Sequence, residues 1–250
     1  MSEPEFAEGP NGTPPAAVRP PGLLARLYRE ERDAWRKHYR KYFKYAARAL
    51  GTGFVVGFVY FMLRPDQEKK ALEFVLRALK DINLQGSPLV LALTLFYHNS
   101  RASAIAIAAG WVPFLYLPIL DPLVNGGVLG LLVSVTKHQG LDVPRLVLTN
   151  ILPHGVFELS AVLYSTSLGL YLSEAMGKKA LAAWRKKRGQ RQGQPPPAPD
   201  LTNFLENCPE RAAAEPESLV RNVFRSFVLV VLPLLLIAAF IEGFITPSLR

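Results

Sequence analysis

Apolar residues in this chain gather into long blocks separated by short charged stretches, the pattern of helices that cross a bilayer. The blocks cover 46–63, a stretch that begins near Pro88, is interrupted by "YHNSR" and continues over 102–120, then 123–136, 146–173 and 223–246. The third is shorter than the roughly 20 residues a crossing needs, and its glycines predict a short or broken span. Between the first two blocks, Ala71, Phe74, Val75, Ala78 and Leu79 recur at helical spacing among mixed charges over 66–84. That is an amphipathic helix too polar to span, resting on the membrane or on the bundle. Small residues recur every fourth position at Ala49, Gly53 and Gly57, at Ala102, Ala106 and Gly110, and at Gly126, Gly130 and Ser134. This spacing lets helix backbones approach closely in lipid, so Gly53, Gly57, Gly126 and Gly130 are expected at helix contacts.

The remaining segments complete the layout. Residues 1–22 are rich in Pro and Gly and predict a disordered tail without the apolar core of a secretory signal. Residues 23–45, dense in Arg and Lys with Trp35, Tyr39, Tyr42 and Phe43 between them, predict a basic interfacial helix. The membrane bundle occupies 46–176, a basic and Pro-rich linker 177–221 with one short helical turn at 201–207, and a final crossing 222–250. The expected fold is all-α, a polytopic helical membrane bundle of about five transmembrane helices with one short or broken span and one amphipathic surface helix.

Composition agrees: half the residues are hydrophobic and mean hydropathy is +0.15. The net charge of +9 comes largely from Lys and Arg flanking the apolar blocks, which suits anionic headgroups. No nucleic-acid signature accompanies it. The two heaviest basic clusters, before Ala46 and after Ser173, are expected on the cytoplasmic side of the cell membrane. Two ends on one side require an even number of crossings between them, hence five in all with the N-terminus inside. The lone Cys208 excludes an internal disulfide and a Cys-rich metal site.

The chemistry that stands out is polar residues inside apolar blocks. Asn150, His154 and Glu158 lie four apart on one helix face. With Asn99, Arg101 and Glu242 they map to the outer half of the bundle, whereas Asp121 and Asn125 map to the inner side. A carboxylate at mid-bilayer costs about 3 kcal/mol on the insertion scale, so Glu158 is expected to face protein, water or a cation. Glu158 and Glu242 are then expected to pair with His154, Arg101 or an Asn amide. Asn125 is expected to cap the short span, and His38 and His138, in polar runs, to be solvated. Trp35, Trp111 and Trp184 read as interface or packing aromatics.

Three functional classes fit such residues. In a scaffold the cluster locks one helix arrangement and the surface recruits partners. In a carrier or channel, the carboxylates and the imidazole form a proton or ion path. In an intramembrane metalloenzyme, His154 and Glu158 supply two ligands and Glu242 or His98 a third, but "HGVFE" holds one His where the metalloprotease signature needs two. The scaffold is favoured, with no catalytic, metal or cofactor site assigned. Its partners are the lipid bilayer, membrane or cell-envelope proteins and a second copy of the chain, not nucleic acid.

"FYHNSRASA", "NGGVLG", "LPHGVFELSA" and "IAAFIEGFITP" together resemble the stage II sporulation protein M family of bacterial and archaeal membrane proteins. The likeness runs from Tyr97 to Ser173 and over the last span. His98-Asn99 stands where many relatives have two adjacent Asn. The resemblance implies an integral membrane protein. In endospore formers the family's named member holds peptidoglycan-degrading partners at the septal membrane during engulfment, while members also occur in organisms that form no endospores.

Overall fold

The computed structural model describes residues 22–78, 87–191 and 216–246, and among these every regular element is helical. The six helices are α1 (Leu23–Leu63), α2 (Pro65–Ala78), α3 (Pro88–Ala109), α4 (Leu117–His138), α5 (Val143–Arg188) and α6 (Leu219–Ile245). Four of them, α1, α4, α5 and α6, are long and apolar enough to cross a membrane. The fifth, α3, has 22 residues, but His98, Asn99, Ser100 and Arg101 fall near its middle and lower its hydropathy. The tail before Gly22, Leu79 to Leu84 of the amphipathic stretch, the 192–215 part of the Pro-rich linker, its 201–207 turn and Cys208 lie outside the described residues.

Two expected boundaries move. The "YHNSR" run does not interrupt its block, because α3 passes through it as one helix. It starts at an N-cap, Ser87, whose hydroxyl accepts from the Val90 amide at 3.4 Å, with Pro88 in the first turn. The chain instead leaves helix at 110–116, ahead of the expected end at Leu120. Pro113 disfavours helix for the residue before it, and Phe114 and Tyr116 take left-handed backbone at φ 69° and 46°. The third crossing is consequently not short or broken: a 3₁₀ turn at Leu117–Ile119 leads into Leu120–His138, giving 22 residues. Pro118 and Pro122 are tolerated because they fall in its opening turns, where amides have no intrahelical partner. Apolarity ran across this boundary, and proline placement decided it.

Helix contacts are made through glycine. Gly53 and Gly57 of α1 lie against Leu123 and Gly127 of α4, while Gly126 and Gly130 of α4 lie against Leu50, Phe54 and Phe58 of α1. A methyl on Gly57 would sit 2.7 Å from the Gly127 carbonyl oxygen, and one on Gly130 would sit 2.6 Å from that of Phe54. The contacts climb both helices together, so this half of α1 runs alongside α4 in the same sense. On the other side, Gly110 meets Gly169 of α5, and Gly243 of α6 meets Pro88 and Ala92 of α3. Helix α3 runs with α5 and α6 runs against both, so successive long helices alternate in direction. The core between α1, α5 and α6 is Tyr39, Tyr164, Leu168, Val231 and Leu235.

Prolines inside α5 and α6 are absorbed by widened turns. Pro153 follows a π-helical stretch at Leu146–Ile151, and Pro233 follows one at Phe227–Val231. An i→i+5 turn relieves the clash of the ring with the preceding carbonyl without ending the helix.

Gly57→Val should destabilise the protein by about 2 kcal/mol through overpacking of the α1/α4 seam. Gly51, which has no atom within 4 Å of an added methyl, should accept Ala without loss. Thermal unfolding in detergent followed by size-exclusion chromatography compares the two.

Candidate functional site

Helices α3, α5 and α6 bring Asn99, His154, Glu158 and Glu242 together. His154 and Glu158 share a face of α5 one turn apart, just after the π stretch that precedes Pro153. Glu242 opens a second π stretch, Ile241–Ile245, near the end of α6. His154 Nδ1 lies 2.8 Å from Glu242 Oε2, with side chains 21% and 19% exposed. The Asn99 amide donates to the Glu158 carboxylate, and His154 and Glu242 lie near it. Two carboxylates, one imidazole and one amide thus meet among three helices, with Glu158 half-buried.

The other residues singled out from the sequence lie apart from this group. Arg101 is exposed on α3. Asn150 accepts from the Thr149 hydroxyl at 3.0 Å. Asn125 caps nothing. It sits within α4, and its amide donates to the Asp121 carbonyl at 2.9 Å and to Asp121 Oδ1 at 3.0 Å. The helix starts earlier than the apolar block, which puts Asn125 inside it.

Three further ionic groups escaped the sequence reading. His138 is not simply solvated: its Nδ1 lies 2.8 Å from Glu68 Oε2 of α2, which also accepts from Ser134 at 2.6 Å. Glu68 is buried although it belongs to an amphipathic helix. The spacing of Ser134 and His138, one turn apart on α4, was the available signal. His38 likewise packs by its ring against Tyr171, with centroids 5.3 Å apart.

The second group joins three helices. Glu31, 4% exposed, accepts from the Tyr164 hydroxyl at 2.6 Å. Arg225 of α6 reaches Glu30 at 2.7 Å and Glu31 at 3.5 Å. Trp35 stacks on Tyr164 with the rings 10° from parallel. The expected interfacial stretch is therefore the first half of α1 and packs by its aromatic and acidic side against α5 and α6. The third group centres on Glu174 of α5, which holds Lys41 at 2.9 Å and Lys178 at 2.7 Å and accepts from the Tyr42 hydroxyl. Neither was legible because the charges come from segments far apart in sequence.

Chemically, the group around His154 can exchange a proton between imidazole and carboxylate or hold three helices in register. Among the described residues no three His, Cys, Asp or Glu side chains are arranged to hold a metal ion.

Comparison with protein families gives a match to the model described as Stage II sporulation protein M over residues 46–247. No curated protein and no solved structure matches the chain.

A double-mutant cycle on His154→Ala and Glu242→Ala should show each single change lowering stability by about 1 kcal/mol and the pair by less than the sum. Full additivity would mean that the two side chains do not interact. Arg225→Ala, which strips a buried carboxylate of its cation, should destabilise by about 3 kcal/mol. Lys178→Ala, at a side chain 75% exposed, should cost under about 1 kcal/mol. Chemical denaturation in detergent ranks them.

Proposed function

The chain belongs to the stage II sporulation protein M family, and from that premise we propose that it is a non-enzymatic, multi-pass scaffold of the cell membrane that anchors or recruits envelope-associated proteins. The observation that carries this reading is the mutual pairing of Asn99 with Glu158 and of His154 with Glu242 across three helices. Groups that serve one another in this way specify a helix arrangement, and a fixed arrangement is what a platform for partners requires. The glycine contacts between backbones support the same role. The basic flanks of α1 and α5 support a cytoplasmic N-terminus under the positive-inside rule. Exposed apolar side chains such as Val55, Val56 and Val59 on α1 face lipid, a partner or a second copy.

One observation favours a second reading, a proton or ion carrier: an imidazole paired with one carboxylate, with a second carboxylate one turn away on its own helix, inside helices with π turns.

Affinity capture of the full chain in mild detergent should recover a reproducible set of envelope proteins, and reconstituted liposomes should show no pH- or ion-driven flux. Flux abolished by Glu158→Ala would replace the scaffold with the carrier. Glu158→Gln retains an oxygen that accepts from Asn99, so it should leave protein abundance near normal. Severe loss of folded protein would show that the charge itself is required.

A further inference from the structure

The end of the bundle remote from His154 is ringed by lysine and arginine. There, α1, the start of α4 and α5 border an open cleft of about 340 Å³, whose lining includes Lys41, Tyr45, Tyr116, Ile119, Leu170 and Glu174 beside Tyr42. Its polar and apolar parts are separated. Ile119 and Leu170 form an apolar wall. Lys41 and Tyr45, with Arg48, form the polar side, because positions 41, 45 and 48 share one face of α1.

The charges at this site favour an anion. Glu174 is the carboxylate of the lining, and it is already met by Lys41, Lys178 and the Tyr42 hydroxyl. Each ammonium carries three donors, and each of these lysines directs one at Glu174. Their side chains are 56% and 75% exposed, so the remaining donors are accessible. Arg48 adds a third cation, with its guanidinium carbon 6.0 Å from the Tyr45 ring centre. Two cations thus meet one carboxylate, and a third stands beside Tyr45 of the lining.

The connector between α3 and α4 presents the remaining hydroxyl. Tyr116 lines the cleft with its backbone left-handed, a conformation that costs a non-glycine residue about 1 kcal/mol or more and needs support from its surroundings. That support is visible. The Val112 carbonyl accepts from Ser173 at 3.1 Å, and Phe114 lies against Gly177, where an added methyl would come within 3.2 Å of the ring. The backbone leading into Tyr116 is therefore fastened to α5.

We propose that this cleft binds the phosphate headgroup of an anionic phospholipid from the leaflet at the basic end of the bundle. Lys41, Lys178 and Arg48 meet the phosphate, the Tyr45 and Tyr116 hydroxyls donate to it, and an acyl chain follows the wall of Ile119 and Leu170 into the bilayer. A soluble phosphate would use the same cations but not the apolar wall.

Native mass spectrometry of the full chain, extracted from nanodiscs holding equal phosphatidylglycerol and phosphatidylcholine, tests this. Phosphatidylglycerol should be retained preferentially. Lys41→Gln should reduce its retention about fivefold, as expected for loss of one cation near the lipid surface. Tyr45→Phe with Tyr116→Phe, which keeps every ring and charge, should also reduce it. Arg185→Gln with Lys186→Gln, basic residues further along α5, should leave it unchanged. Equal retention of the two lipids, equal loss in the Arg185/Lys186 variant, or no change in the double Phe variant would overturn the proposal. Displacement by inorganic phosphate as effective as that by phosphatidylglycerol would also overturn it, by identifying a soluble anion as the ligand.

Discussion

Lipid tails are as apolar as leucine, so the hydrophobic effect gives two membrane helices little reason to prefer each other over solvent. What remains is close packing and hydrogen bonding. In this chain the packing is glycine against backbone. Gly53 and Gly57 face Leu123 and Gly127, Gly126 and Gly130 face Leu50 and Phe54, and no side chain separates the α1 and α4 backbones at these points. Much else follows from that seam. With α4 held against α1, the helix that follows α1 can turn back and set Glu68 between Ser134 and His138. Pro118 at the head of α4 lies on Gly169 of α5, so the seam also fixes where α5 must pass.

Carboxylates supply the specificity that close packing lacks. Among the described residues six of them make contacts between helices: Glu30 links α1 to α6, Glu31 links α1 to α5 and α6, Glu68 links α2 to α4, and Glu174 links α5 to α1. Glu158 links α5 to α3, and Glu242 links α6 to α5. A small-residue seam tolerates sliding, since one glycine resembles the next. An acid that loses its partner does not, because an unpaired buried charge is far more costly than the pair is favourable. The tyrosines reinforce this, since a ring that packs in the core can still direct its hydroxyl at a carboxylate, as Tyr164 does at Glu31.

The sequence made the class of fold, the existence of the long apolar helices and the family legible, because block hydrophobicity and the Pro-His-Gly-x-x-Glu string survive without three-dimensional information. The meeting of His154, Glu158 and Asn99 could be anticipated for a similar reason: helical spacing places two of them on one face, and an intramembrane acid demands a partner. The break between α3 and α4 was less legible, since apolar residues run through it and the decisive signal was Pro113 and Pro118. Least legible were Glu31 with Arg225 and Glu174 with Lys41. In these pairs one partner lies in a segment that looks like an ordinary solvated basic helix, and only the tertiary fold brings the other beside it. His138 shows the same limit, because a histidine after a span reads as a loop residue until α2 is placed over it.

The short connection between α3 and α4 is stitched to α5 at successive points along one helix: Gly110 on Gly169, the Val112 carbonyl on Ser173 and Phe114 on Gly177. A tether this closely fastened leaves neither helix free to slide or tilt independently where they join it. The basic end of the bundle is thus the spine of a book. If these helices part, they must do so at the opposite margin, where the imidazole and its two acids lie.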